Sequence, residues 1–209
     1  MTVLRRVPAG RSGRLWLLAR LQTGRRAADL LDRKLRILRS EQERFHLLAE
    51  HTHLRWREAQ WRADTVGLRA AMMGGARGVR LLTPAEPAEV AVSWATVMGL
   101  RYPAATTCRF ATPSDMDRCA GTTALVGAHS TYQAAITSAA AHAAATAACR
   151  TIDAEVRTTR QRLRAITDRW LPELEEALRQ LSTRLDEAER AETARLRWTT
   201  RIQATGGMR

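Results

Sequence analysis

Cysteine is scarce in this 209-residue chain. Cys108, Cys119 and Cys149 are odd in number and widely spaced, which argues against a disulfide framework and against a zinc site. A reducing compartment is the simpler setting. Aromatic residues make up only 5% of the chain against 26% charged residues. That shortage of large side chains suits long helices that each bury a narrow stripe better than a thick globular core. Lysine is almost missing. Lys34 is the only one, so the formal charge of +13 rests on arginine, the residue suited to phosphate and carboxylate partners. Heavy use of alanine beside arginine is also what GC-rich coding produces, so the charge alone does not assign a ligand.

Long apolar runs are missing too. The most apolar stretch, "AAITSAAAHAAATAAC" at 134–149, is dominated by alanine and interrupted by Ser, Thr and His142, which makes it a poor membrane span. The opening "MTVLRRVPAGRSGRLW" lacks the apolar core of a signal peptide. The expectation is a soluble, cytoplasmic protein. Catalytic signatures are equally sparse. "GARGVR" is too short for a P-loop and has no lysine, and neither GxSxG nor HExxH occurs. No cofactor site is expected.

What is present is heptad patterning. Ala28, Leu31, Leu35, Leu38, Gln42, Phe45, Ala49, Thr52, Trp56, Ala59, Ala63, Val66, Ala70 and Met73 recur in alternating steps of three and four. Only Gln42 and Thr52 are polar on that seam, and charged stretches such as "RSEQER" lie between its members. A seam this long predicts a coiled-coil helix over 12–74, about 90 Å in length, which "MMGGARG" should end.

The last third repeats the pattern. His142, Ala145, Cys149, Ile152, Val156, Thr159, Leu163, Ile166 and Trp170 form one register; Leu174, Leu178, Leu181, Leu185 and Ala188 form a second that continues weakly to Ile202. The step from Trp170 to Leu174 to Leu178 is four plus four, a stutter that changes the local winding. It falls at Pro172, which lacks a helical donor and crowds the turn before it. The expected helix covers 129–203, with a tail at 204–209 and an N-terminal arm at 1–11.

Residues 75–128 differ in character and carry Pro84, Pro87, Pro103 and Pro113. In "EVAVSWATV", Val90, Val92, Trp94 and Thr96 alternate onto one face, predicting a short strand; "MGLRYP" offers a turn, and "ATTCRF" a return strand. The predicted fold is mainly α: a long antiparallel two-helix coiled coil with a small central module containing a β-hairpin.

Other polar groupings read as structural. His51 and His53 are two apart, so their rings leave a helix on different sides and are expected on a solvated face. Glu175, Glu176, Asp186, Glu187 and Glu189 alternate with Arg179, Arg184 and Arg190 at helical-neighbour spacings, as in ion-pair lacing. His142, Trp56 and Trp170 lie on the seams as packing residues.

The segment "TRQRLRAITDRWLPELEEALRQLSTRLDEAERAETARLR" resembles the C-terminal signature of the D subunit of the V/A-type (vacuolar/archaeal-type) rotary ATPases. That family carries R-R-V-N-A-L-E-x-V-V-I-P, then a helix, then D-E-x-E-R-E-x-x-F-R-L-K. Arg162, Ala165 and Pro172 match the first, with Leu163, Ile166 and Leu171 as apolar equivalents. Leu185, Asp186, Glu187, Glu189, Arg190, Arg195, Leu196 and Arg197 match the second. "ADLLDRKLRIL" is similar to V-D-L-L-K-x-K-R-x-x-L through Asp29, Leu30, Leu31, Lys34 and Leu38, and Trp94 takes the place of a tryptophan near the family's strand region. Arg164, Thr167, Ala194 and Leu35 depart from the patterns, standing for asparagine, glutamate, phenylalanine and arginine.

The resemblance implies a non-catalytic central-stalk rotor component. Its paired helices would enter the head of catalytic and regulatory nucleotide-binding subunits. Its middle module would lie near the F subunit and a socket subunit on the proteolipid ring, and rotation would couple ATP synthesis or hydrolysis to proton or sodium transport. The protein would then be cytoplasmic and peripheral to the membrane. The alternative reading of the same composition is an arginine-rich coiled-coil scaffold or nucleic-acid-associated protein, held by salt-dependent phosphate contacts. Against it, arginines are interspersed with Asp and Glu rather than gathered in one stripe.

Overall fold

Alanine, leucine and arginine are strong helix formers, and the chain is mainly helical. The computed structural model describes residues 7–82, 86–111 and 123–206. Helix α1 spans Gly10–Leu82, strands β1 and β2 span Glu89–Val97 and Leu100–Arg109, and helix α2 spans Thr123–Arg164. A π-helical turn, Ala165–Trp170, joins α2 to helix α3, Leu171–Gly206. Pro84, Pro113 and Cys119, and the tail beyond Gly206, lie outside the described residues.

The glycine-rich stretch interrupts α1 without ending it. Gly75 takes φ 64 and ψ 175, a conformation that side chains with a Cβ disfavour, and the helix then resumes to Leu82. One residue therefore absorbs the break that the composition predicted as a terminus.

The chain divides into two units: residues up to Leu35 with those from Thr158 onward, and Arg36–Arg157. In the first, the beginning of α1 runs antiparallel to α3: Arg11 pairs with Glu189 and Arg25 with Glu175, each at 2.8 Å. Leu17, Leu21 and Leu174 form its core at 0%, 5% and 1% exposure, flanked by Trp16, Trp170, Leu171, Leu178 and Leu181. Each such leucine contributes about 1.5–3 kcal/mol of burial; the exposed ion pairs add at most about 1 kcal/mol each.

In the second unit, α1 and α2 are likewise antiparallel. Gln42 donates to Asp153 at 2.7 Å, and Thr52 meets His142 at 3.4 Å, while Gly74 faces Leu125 further along. Leu38, Phe45, Ile152 and Val156 are buried here, with Ala128, Ala135, Ala144, Ala145 and Ala148. Ala70, Leu125 and Ala128 close the far end, where small residues let the helices approach.

The hairpin belongs to the second unit. Its two strands are antiparallel and joined at Met98 and Gly99, both with positive φ (49 and 80), the geometry of a two-residue turn matched to strand twist. A register irregularity at Ser93/Trp94 interrupts the alternation. The face expected to carry Val90, Val92 and Trp94 is exposed, at 46%, 41% and 53%. Tyr102 and Pro103 of β2 are the buried pair instead, with the Tyr102 ring edge-on to Phe45 of α1 at 4.8 Å.

Candidate functional site

A heptad seam becomes a site only through what it excludes from water and what it leaves outside. Of the first seam, Leu35, Leu38 and Phe45 are buried, while Leu31, Trp56 and Val66 are half-buried. Met73 is a correction: it is 72% exposed, and Gly74 faces inward in its place. A Cβ on Gly74 would lie 2.7 Å from Leu125 Cδ1, so the leucine packs onto bare backbone and shifts the register by one residue. The seam also begins earlier than its heptads suggested. Leu17 and Leu21 are buried at a spacing of four, and Gly13 and Gly24 continue the same face. Glycines carry no hydrophobic signal, which is why periodicity missed this stretch.

On the returning strand of the seam, Ile152, Val156 and Leu174 are buried, and Leu163, Ile166, Trp170, Leu178, Leu181 and Leu185 are half-buried. Thr159 is 1% exposed. Burial stops there. Ala188 and Ile202, expected to prolong the register, are exposed, as is every residue from Asp186 to Ile202. That stretch of α3 carries Leu196, Trp198 and Ile202 at 61%, 67% and 47% exposure between Arg195, Arg197 and Arg201.

The stutter is a π-helical turn, and it precedes Pro172 rather than centring on it. The Leu171 N–H reaches back to the Ile166 carbonyl, five residues away, so one extra residue is held in the turn. Pro172 has no N–H to offer Asp168 four residues back, and the wider turn relieves the clash of its ring with that carbonyl. On the facing helix, Gly24 matches this turn: a Cβ there would lie 2.5 Å from Trp170 Cζ3 and 2.8 Å from Leu171 Cδ2. The same level of α1 also steps four plus four, from Gly13 to Leu17 to Leu21.

The polar groups are laced rather than convergent. Glu175 binds Arg25, Glu189 binds Arg11, and Glu176 accepts from Arg179 and from Gln180. Asp153 accepts from Gln42 and lies 3.2 Å from His46 Nε2. Burial, and then the nearby Asp153 carboxylate, push the Cys149 thiol above its ordinary pKa, so it is held protonated and unreactive. His53 corrects the expectation of a solvated histidine pair: His51 is exposed, but His53 is half-buried with its ring 5.1 Å from that of His142. Among the described residues no three His, Cys, Asp or Glu side chains could together hold a metal, and no helix is long and apolar enough to cross a membrane.

The positions of the resemblance fall mostly on the outside. Asp29, Leu30, Trp94, Arg162, Ala165, Pro172, Asp186, Glu187, Glu189, Arg190, Arg195, Leu196 and Arg197 are all exposed; of the other matched positions Leu31, Lys34 and Leu185 are half-buried and Leu38 is buried. A family model described as the ATP synthase D subunit matches residues 15–201. No curated protein matches the sequence.

Proposed function

We propose, from the premise that this chain belongs to the ATP synthase D-subunit family, that it is the non-catalytic central rotor shaft of a V/A-type ATP synthase or ATPase. Nucleotide turnover in the surrounding catalytic and regulatory subunits drives, or is driven by, its rotation. Through the F subunit and a socket subunit on the proteolipid ring, that rotation is coupled to movement of protons or sodium ions. In this reading the protein is cytoplasmic and reaches the membrane only through its partners.

One observation carries the proposal. Most residues that match the family's motifs are exposed, whereas the centre of the seam is buried. Motif positions that served only to hold the helices together would sit in the seam. Exposed ones are placed to meet other subunits. The end of α3 is the clearest case: Trp198 and Ile202, four residues apart, face solvent between Arg195 and Arg201 as an apolar strip with a basic border, and Leu196 is exposed on another side of the helix. Such a strip suits an apolar, acid-lined bearing in a ring of head subunits. The buried leucine core of the same unit supplies the stiffness that a torque-bearing rod requires. Pro172 and its π-helical turn place a local change of winding in the shaft, which makes it unequal toward the partners around it.

Reconstitution tests this reading. The full chain, expressed with the head subunits and the F subunit of a V/A-type ATPase, should assemble at one copy per head. Leu196→Glu with Trp198→Glu should abolish that assembly while leaving the melting temperature of the isolated chain unchanged. A chain that ignores the head subunits and instead retains nucleic acid at low salt would overturn the proposal.

A further inference from the structure

The second unit holds a polar layer within the seam that the rotor reading does not use. Thr52, His53 and Trp56 of α1 meet His142 of α2, and all four are half-buried. The indole of Trp56 is stacked on the His142 ring, 5.5 Å between centroids and 11° from parallel, which holds the imidazole plane. Thr52 Oγ1 donates its single proton to the carbonyl of Leu48 at 2.9 Å or of Ala49 at 3.0 Å. With that proton on a carbonyl, the hydroxyl is an acceptor toward His142 Nδ1, 3.4 Å away. In that arrangement the His142 proton sits on Nδ1 and the Nε2 lone pair is open to a ligand. A hydrogen bond that fixes the tautomer from behind is how metal-binding histidines are oriented.

The second imidazole is already in place. The His53 ring lies 5.1 Å from His142, tilted by 52°, and among the described residues it meets its neighbours through ring contacts only. Bonds of about 2.0–2.1 Å from two imidazole nitrogens to one ion bring the ring centres to about 5–6 Å. The remaining histidines are differently engaged or placed: His46 is at Asp153, His129 at Gln133, and His51 is exposed.

We propose that His53 and His142 form a clip for one divalent transition-metal ion of the zinc class, which ties α1 to α2. Imidazole is the ligand suited to zinc, nickel and copper ions rather than to calcium or magnesium. With two protein ligands the ion keeps water on its other positions, so it exchanges with solution and is not a closed structural site. The consequence is mechanical: ion binding pins two helices that otherwise meet here through a threonine, a tryptophan and two imidazoles.

Calorimetric titration of the full chain with zinc chloride at pH 7.5 tests the clip. One ion should bind per chain, and the melting temperature should rise with zinc. His53→Ala and His142→Ala should each abolish both effects, and His51→Ala should leave both intact. Thr52→Val should weaken binding by about 10–100-fold, the usual cost of losing an outer-shell partner. His53→Gln, at a half-exposed position, keeps the test decisive should the alanine variants unfold. Absence of zinc binding by the parent chain overturns the proposal. So does binding that survives His53→Gln, or that His51→Ala removes equally.

Discussion

Gly24→Ala sets two helical effects against each other in one position. Alanine is favoured over glycine inside a helix by about 0.8–1.0 kcal/mol, so by propensity alone the substitution stabilises α1. The structure reverses this. The new Cβ would lie 2.5 Å from Trp170 Cζ3 and 2.8 Å from Leu171 Cδ2, closer than van der Waals contact permits. Trp170 is set in the π-helical turn and its flat ring cannot fold away as a leucine tip can. Overpacking of this kind costs about 1–3 kcal/mol. Gly24→Ala should therefore be neutral to destabilising, by roughly 0–2 kcal/mol. Gly127 in α2 is the control, since a Cβ there meets nothing within 4 Å. Gly127→Ala should stabilise by the full propensity difference, about 0.8–1.0 kcal/mol. Urea denaturation of both variants reads the gap, expected at about 1–3 kcal/mol. Combining Gly24→Ala with Trp170→Ala should recover part of the loss, a coupling that independent sites would lack. Equal stabilisation by the two alanines would refute the close approach of Trp170 to the α1 backbone, and with it the matched packing at the π-helical turn.

Leu174→Ala, at 1% exposure between Leu17 and Leu21, should cost about 2–5 kcal/mol in the same assay, while Leu196→Ala, at 61% exposure, should stay within about 0.5 kcal/mol. Comparable losses would mean that the seam does not hold the first unit together. Cys149 should react with iodoacetamide more slowly than the half-exposed Cys108 at pH 8, because its thiol is held protonated. The native state then binds that proton more tightly than the unfolded chain, so the stabilisation is complete below the ordinary thiol pKa and is lost as pH rises through the elevated one. Cys149→Ala should flatten the fall of the urea midpoint above pH 9, and an unchanged slope would assign it to other groups. Pro172→Ala restores a donor opposite the Asp168 carbonyl and should slow amide exchange across Ala165–Trp170; exchange as fast as in the parent would detach the π-helical turn from the proline.

Most of the helical fold was legible because burial and helix geometry share one period. Leucines and alanines at steps of three and four can face a partner only as helices, so spacing alone identifies Leu35, Leu38, Phe45, Ile152 and Val156 as inner residues. The hairpin was readable for a similar reason: alternation and a turn glycine suffice to mark two strands. The slip between Trp170 and Leu178 was visible as a spacing, since an extra residue in a turn has to appear as an extra step along the chain.

What the chain order could not express is contact between residues far apart in it. Gly13 and Gly24 look like weaknesses in a helix, and only the positions of Leu181, Trp170 and Leu171 make them part of the seam. Whether Met73 or Gly74 faces inward depends on where Leu125 lands, and which hairpin face is covered depends on Phe45. His53 and His142 lie on different helices, far apart along the chain, and their meeting is a property of antiparallel pairing alone. Periodicity determines that a helix has an inner face, because it repeats within a few residues. Tertiary structure decides what that face touches, because steric fit is a relation between two surfaces that neither sequence segment contains by itself.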